Sequence, residues 1–323
     1  MPKLVGGSGP IDSKIVFVGE APGAEEDRLG VPFVGVSGEL LTSIIHGLGL
    51  AREDIYITNV VKERPKDNKI EQFIKFDKGR TLVTEAYTKY ENFLYEELSH
   101  TKANVYVAIG GVALWALCRQ DKISKRRGSI LQGHWPPQGG KVVPIIHPAS
   151  ALRNYIFTHF IRFDLRRAIE ESAYPDIRLP SRRLHIEPSF IEAMAYLQSC
   201  YNRPKLGFDI EVVNEEISCI SIARTPYDCM SIPFVMEGRD YFTIDQEIAI
   251  WQEIANILET PSIEKVGHNV CFDSTFIFIK YGIRSVNLKD SMVSSSICYP
   301  DFPKGLDFVT SICTREPYYK DDG

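Results

Sequence analysis

Two α/β domains in tandem are predicted from the sequence. A three-layer α/β/α sandwich on a parallel sheet spans residues 1–172, a linker spans 173–183, and a mixed-sheet α/β domain spans 184–323. Three observations predict this. The first half alternates short apolar runs with stretches of helical period, as βαβ units do. YPDIRLPSRR then breaks the pattern, being rich in proline and arginine and lacking an apolar period. Beyond it, three strand-like runs follow one another before helices resume, which calls for a mixed sheet.

In the first half, KIVFVG (14–19), DIYITNVV (54–61), ANVYVAIG (103–110) and KVVPIIH (141–147) read as short buried strands. GELLTSIIHGLGL and TEAYTKYENFLYEEL carry helical period between them, and THFIRFDLRRAIEESA closes the domain as a helix. The second half opens with RLHIEPSFIEAMAYLQS, a strand and then a helix. KLGFDIEV, ISCISIAR and YDCMSIPF are three strands in succession. A helix across DQEIAIWQEIANILE, a strand in EKVGHNV and a helix in CFDSTFIFIKYGI complete the series.

Composition limits the function classes. With 323 residues and 44% hydrophobic positions, the chain can bury substantial cores. No run of about 18 apolar residues exists, and MPKLVGGSGPIDSK has no apolar region behind its lysine, so neither a membrane segment nor a leader is expected and the protein reads as cytoplasmic. The seven cysteines form no CxxC and sit mostly in apolar runs, which reads as reduced core residues rather than disulfides or a zinc site. A net charge of −5 argues against a uniformly basic coat for nucleic acid and leaves room for a local patch.

The stretch VGEAPGAEEDRLGVPFVG (18–35) follows the first strand, at the carboxyl edge of the sheet where α/β proteins bind ligands. GEAPG alone equally suits an ordinary βα loop. The apolar Pro32-Phe33-Val34 before Gly35 puts Phe33 at a loop tip, where its ring can stack on a flat ligand. Together, GEAPGAEEDRLGVPFVGVSGELL, TNVVKERPKDNK and IIHPAS resemble, in order and approximate spacing, the three motifs of uracil-DNA glycosylases of the family-four type, over roughly residues 14 to 170.

The resemblance implies a pocket for a base flipped out of DNA. Phe33 would stack on the base and the Asn59 amide would read its edge, donating to one group and accepting from the next. His147 would donate to the uracil O2 as negative charge develops there. Glu20 would position or activate water against the sugar cation. The turn His147-Pro148-Ala149-Ser150 resembles the loop that presses on DNA, so Pro148 and Ser150 count as DNA contacts. Taken singly, Asn59 and His147 also suit strand-end residues that cap neighbouring backbone. Family-four enzymes usually hold an iron-sulfur cluster on four cysteines. Here the first two positions fall in GGSGP, and the others are Glu63 and Tyr90, so no cluster is expected. KIEQFIKFDKGRTLVTE (69–85) reads as an insertion. In DKISKRRGS (121–129), Lys125, Arg126 and Arg127 offer either phosphate contacts or a solvated charged face.

In KLGFDIEV, Asp209 and Glu211 lie two apart on a strand and so share a face. With Asn269 and Asp273 in VGHNVCFDSTFI, they resemble the first two motifs of the 3′-to-5′ proofreading exonuclease of family A DNA polymerases, a ribonuclease H-like fold. DSMVSSSICYPDFPKGLDFVTSI resembles the segment that follows. That resemblance implies Mg²⁺ or Mn²⁺ held by Asp209, Glu211 and Asp273. Tyr318 and Asp322 fit the spacing of the last motif but come too soon after Asp273, and they read as a surface turn. The whole chain thus resembles the N-terminal part of a phage-type family A DNA polymerase, with its exonuclease incomplete and a polymerase domain beyond residue 323. Its implied partner is DNA, single-stranded or primer-template. The implied work is uracil excision plus proofreading; the alternative is a first domain that binds template DNA or serves as structure without catalysis.

Overall fold

The computed structural model describes residues 3–77, 80–136 and 139–318. They divide into two units, Met1–Leu179 with Asp307–Gly323, and Pro180–Leu306.

The first unit begins with β1 (Ile15–Gly19), buried at every position because both its faces are covered. Helix α1 (Ala24–Leu29) carries acids in its first turn and ends at Gly30 in the left-handed conformation. Helix α2 (Val36–His46) and β2 (Tyr56–Asn59) follow. The inserted segment forms a hairpin of β3 (Ile74–Asp77) and β4 (Arg80–Val83), after which α3 (Glu85–Ser99) starts from a Thr84 cap. Then come β5 (Val105–Ile109), α4 (Gly111–Cys118), the short α5 (Ile123–Arg126), β6 (Leu131–Gln132), β7 (Lys141–Ile145), α6 (Pro148–Ala151) and α7 (Ile156–Glu171). The sheet order is β2-β1-β5-β7-β6, with the first four strands parallel and β6 antiparallel to β7. The register pairs Gly19 with Asn59 and Ile109 with Ile145, so β1, β2, β5 and β7 end on one edge.

The second unit holds β8 (Arg183–His185), α8 (Phe190–Ser199), β9 (Lys205–Val213), β10 (Glu216–Thr225), β11 (Asp228–Pro233) and a small ribbon of β12 (Val235–Met236) and β13 (Arg239–Asp240). Helix α9 (Ile244–Glu259), β14 (Glu264–Gly267), α10 (Val270–Tyr281), β15 (Leu288–Asp290) and α11 (Ser291–Cys298) complete it, and from Asp307 onward α12 (Leu306–Cys313) belongs to the first unit. The sheet order is β15-β14-β9-β10-β11-β8. β9, β10 and β11 are antiparallel neighbours, while β14 runs parallel to β9 and β15 to β14. The sheet is mixed, as expected from three successive strands followed by alternating strands and helices. β9 turns Leu206, Phe208 and Ile210 into the core and Asp209 and Glu211 outward.

Two expectations change. Residues 307–318 were assigned to the second domain but belong to the first unit. Phe308 lies 4.8 Å from Phe160 of α7 by ring centroids, Arg127 donates to Ser311 Oγ at 2.9 Å, and the Tyr318 amide donates to Ser129 Oγ at 3.1 Å. The cysteines are all free, but Cys271, Cys298 and Cys313 are exposed rather than core, because they fall on outward turns of α10, α11 and α12. No helix among the described residues is long and apolar enough to cross a membrane.

Candidate functional site

Three strand ends of the first unit deliver Glu20, Asn59 and His147 to one cavity of about 240 Å³, smaller than the roughly 300–1,000 Å³ of sites for drug-sized ligands. Ser37, Asn68 and Phe33 also line it. Asn59 is 2% exposed and its Oδ1 has no hydrogen-bond partner. Buried polar atoms are nearly always paired, so such an oxygen marks a place for a donor. A side chain on Gly19 would collide with that oxygen and with the Phe33 ring, which is why glycine ends β1.

Phe33 differs from its expected exposure. It is 7% exposed, with its ring 6.0 Å from that of His147 at an interplanar angle of 28°. Its φ of 56° lies in the left-handed region, strained for a bulky residue. Two side chains hold it there. Glu26, buried, accepts from the amides of Gly23 (3.1 Å), Val34 (3.0 Å) and Gly35 (2.8 Å), and Arg52 donates to the Pro32 carbonyl at 2.8 Å. Sequence reasoning missed both. The available signal for Glu26 was an acid three residues after Gly23, the spacing of a capping box.

The Ala149 amide donates to His147 Nδ1 at 3.1 Å, which puts the neutral ring's proton on Nε2. Burial, with Arg153 nearby, lowers the His147 pKa to about 4, so the ring is a neutral donor at physiological pH. Burial, with the negative charge of Glu71, raises Glu20 to about 7. Pro148, expected on DNA, is buried as the first residue of α6, which leaves Ala149 and Ser150 as the partly exposed face of that turn.

Arg127 is corrected as well. It is 2% exposed, its Nε bonds Asp164 Oδ2 at 2.8 Å, and its guanidinium lies 5.1 Å from the Phe160 ring and 5.5 Å from that of Phe308, so it cannot reach a phosphate. Lys125 donates to the Tyr318 hydroxyl at 2.9 Å, and the Arg126 guanidinium lies 5.8 Å from that ring. Asp322 lies outside the described residues. Glu63 and Tyr90, expected in place of two cluster thiolates, lie near each other, and burial with the Glu63 charge raises the Tyr90 phenol to about 12. Residues 1–179 contain a single cysteine, Cys118, so they supply no four-thiolate set.

In the second unit, Asp209 is raised to about 6 by burial and by the charges of Asp273 and Glu211. Asp273 is 4% exposed and accepts from the Ile210 amide at 2.9 Å. Asn269 heads α10 at a φ of 61°, its backbone N–H donating to Asp290 Oδ1 at 3.0 Å. Among the described residues, no three acid, histidine or cysteine side chains are gathered in an arrangement that holds a metal as they stand. The chemistry of the set does fit a hard cation, with oxygen donors whose mutual repulsion a divalent charge would relieve.

Residues 7–167 match the uracil DNA glycosylase superfamily and residues 189–311 match a 3′-5′ exonuclease family. Among curated relatives, the type-4 uracil-DNA glycosylase of Thermotoga maritima is 41% identical over 153 residues, 47% of this chain and 72% of that protein. The enzymes of the same description from Archaeoglobus fulgidus and Saccharolobus solfataricus are 37% and 33% identical, over 46% and 54% of this chain and 71% and 79% of theirs. Among solved structures, Escherichia coli RNase D aligns with a TM-score of 0.31 at 17% identity, over 42% of this chain and 34% of its own. The Trypanosoma brucei RNase D: GMP complex aligns at 0.36 and 12%, over 43% and 44%. The chain thus spans less than half the length of either RNase D.

Proposed function

Because the chain belongs, through residues 7–167, to the uracil-DNA glycosylase superfamily, and carries a 3′-5′ exonuclease domain over residues 189–311, we propose that its first domain excises uracil from DNA in the cavity of Glu20, Asn59 and His147. The observation that carries this reading is the buried, unpartnered Oδ1 of Asn59, an acceptor matched to the imide N–H of a uracil ring. The base lies against Phe33. His147 Nε2–H donates to O2 as the glycosidic bond breaks and its electron pair moves onto the base; the neutral imidazole gains most from the charge that exists only then. Glu20, as carboxylate, accepts a proton from the water that adds to the sugar cation.

In the second domain, Asp209, Glu211 and Asp273 would hold Mg²⁺ or Mn²⁺, which activates water and stabilises the leaving oxygen when bound. A family A DNA polymerase as the setting for both domains, with DNA as their shared partner, is part of this proposal. It is supported by the order of the motifs and the exonuclease match.

The test is incubation of the protein with end-labelled uracil-containing strands, single and duplex, followed by alkali to cleave abasic sites. Cleavage at uracil is expected, falling on the order of 10²–10³-fold in Asn59→Ala and His147→Ala. Absence of cleavage at high enzyme concentration sinks excision and leaves a DNA-binding or structural module.

A further inference from the structure

We propose that the β3–β4 hairpin is an arm that grips the DNA strand beside the extruded base, through the phosphates, on the face carrying Lys75, Arg80 and Leu82. This rests on the base-pocket reading above and extends it to an element outside the three motifs.

The hairpin packs against the start of α4, and the pocket is lined by residues on either side of it in the chain, Asn68 before and His147 after. Glu71, just before β3, is near enough to raise Glu20. Phe76 meets α4, 4.0 Å from the Cβ position of Gly111 and edge-on to Trp115 at 6.4 Å, and the Cβ position of the adjacent Gly110 is 3.4 Å from His147 Cβ. One face of the hairpin touches the domain through buried Ile74 and through Phe76, which stays 42% exposed as Val83 stays 46%. The register pairs Ile74 with Val83 and Phe76 with Thr81 on that face, and Lys75 with Leu82 and Asp77 with Arg80 on the other.

The second face carries the cations. Lys75 and Arg80 are exposed, and Leu82 is 57% exposed between them. Residues 74–83 carry Lys75, Lys78 and Arg80 against the single acid Asp77, in a chain of net charge −5. A two-stranded hairpin is marginal in water, and an exposed apolar residue on it invites aggregation unless something covers it. Cations flanking an apolar side chain suit a nucleic-acid strand, with phosphates on the cations and a sugar or base edge on Leu82.

The test is fluorescence anisotropy of the full chain with labelled single strands containing uracil or thymine, across a salt series. Lys75→Glu/Arg80→Glu should weaken binding of both strands by at least about tenfold and lower the slope of log affinity against log salt by about 1.4, the value for two single-strand phosphate contacts. Lys75→Gln/Arg80→Gln should act in the same direction by less, and melting curves check that each variant is folded. The uracil-over-thymine preference should survive in both pairs and vanish in Asn59→Ala. Unchanged affinity and slope in folded hairpin variants overturn the arm while leaving the pocket intact, and point instead to a protein partner for that face. A wild-type chain that binds both strands equally but loses affinity in the hairpin variants overturns the pocket and supports the arm. Failure of the wild type to bind either strand overturns both.

Discussion

A buried amide oxygen without a donor costs about 1–3 kcal/mol, and Asn59 carries that cost in the free protein. Asn59→Ala should therefore slow excision by roughly that 10²–10³-fold without lowering Tm, and a thermal melt beside the alkali assay separates the two effects. Glu20 couples pH to both stability and rate. Its folded pKa of about 7 lies above the ordinary 4.5, so its contribution to stability is full below about pH 4.5 and is lost as pH rises through 7. The rate should run oppositely, rising with pH to a plateau above a midpoint near 7, because the carboxylate is the working form. Glu20→Gln should flatten the stability profile and remove activity; a wild-type rate that falls through pH 7 would reject Glu20 as the base. Glu20, Asn59 and His147 were legible in the sequence because each sits in a short word at a strand end. Arg52 was not, since it acts on a backbone carbonyl 20 residues away that no side-chain pattern reveals, and the capping-box spacing of Glu26 gave no hint of its bonds to Val34 and Gly35.

At the level of elements, the loop from α1 to α2 is a platform whose strain is held from both sides. Arg52→Met removes one hold, and the expected cost of about 1–2 kcal/mol should raise KM roughly fivefold to thirtyfold with kcat less affected. The four parallel strands of the first sheet were readable as apolar runs of the right length. The hairpin was not, because IKFD and RTLV are too short and too charged to show a period, and Phe76 is pinned by α4 rather than by its own strand. On β9, the alternation that turns Asp209 and Glu211 outward was readable, whereas the repulsion between Asp209 and Asp273 depends on α10 returning to that strand. Asp209, raised to about 6 from 3.8, withdraws stability as pH rises between those values. Asp209→Asn should therefore raise Tm by about 2 °C at pH 7 in EDTA, and added Mg²⁺ should stabilise the wild type more than the variant.

For the whole molecule, the sequence division was least informative where the first unit takes back residues 307–318. Nothing in LDFVTSICTREPYY distinguishes a helix of one domain from a helix of the other; the decision is made by Arg127, whose buried pair with Asp164 needs cover. Phe308→Ala should destabilise the first unit by about 2 kcal/mol, roughly half the cost at a fully buried phenylalanine. Hydrogen exchange should quicken in α7 and stay unchanged in β9 and β10. The same feature sets an order of events during synthesis. The ribosome must make all of Pro180–Leu306 between α7 and its cover, an interval on the order of ten seconds at ordinary elongation rates. During that interval Phe160 and the Arg127–Asp164 pair wait uncovered in the nascent chain. The second unit thus has time to fold first, and the first unit matures only after it has been made.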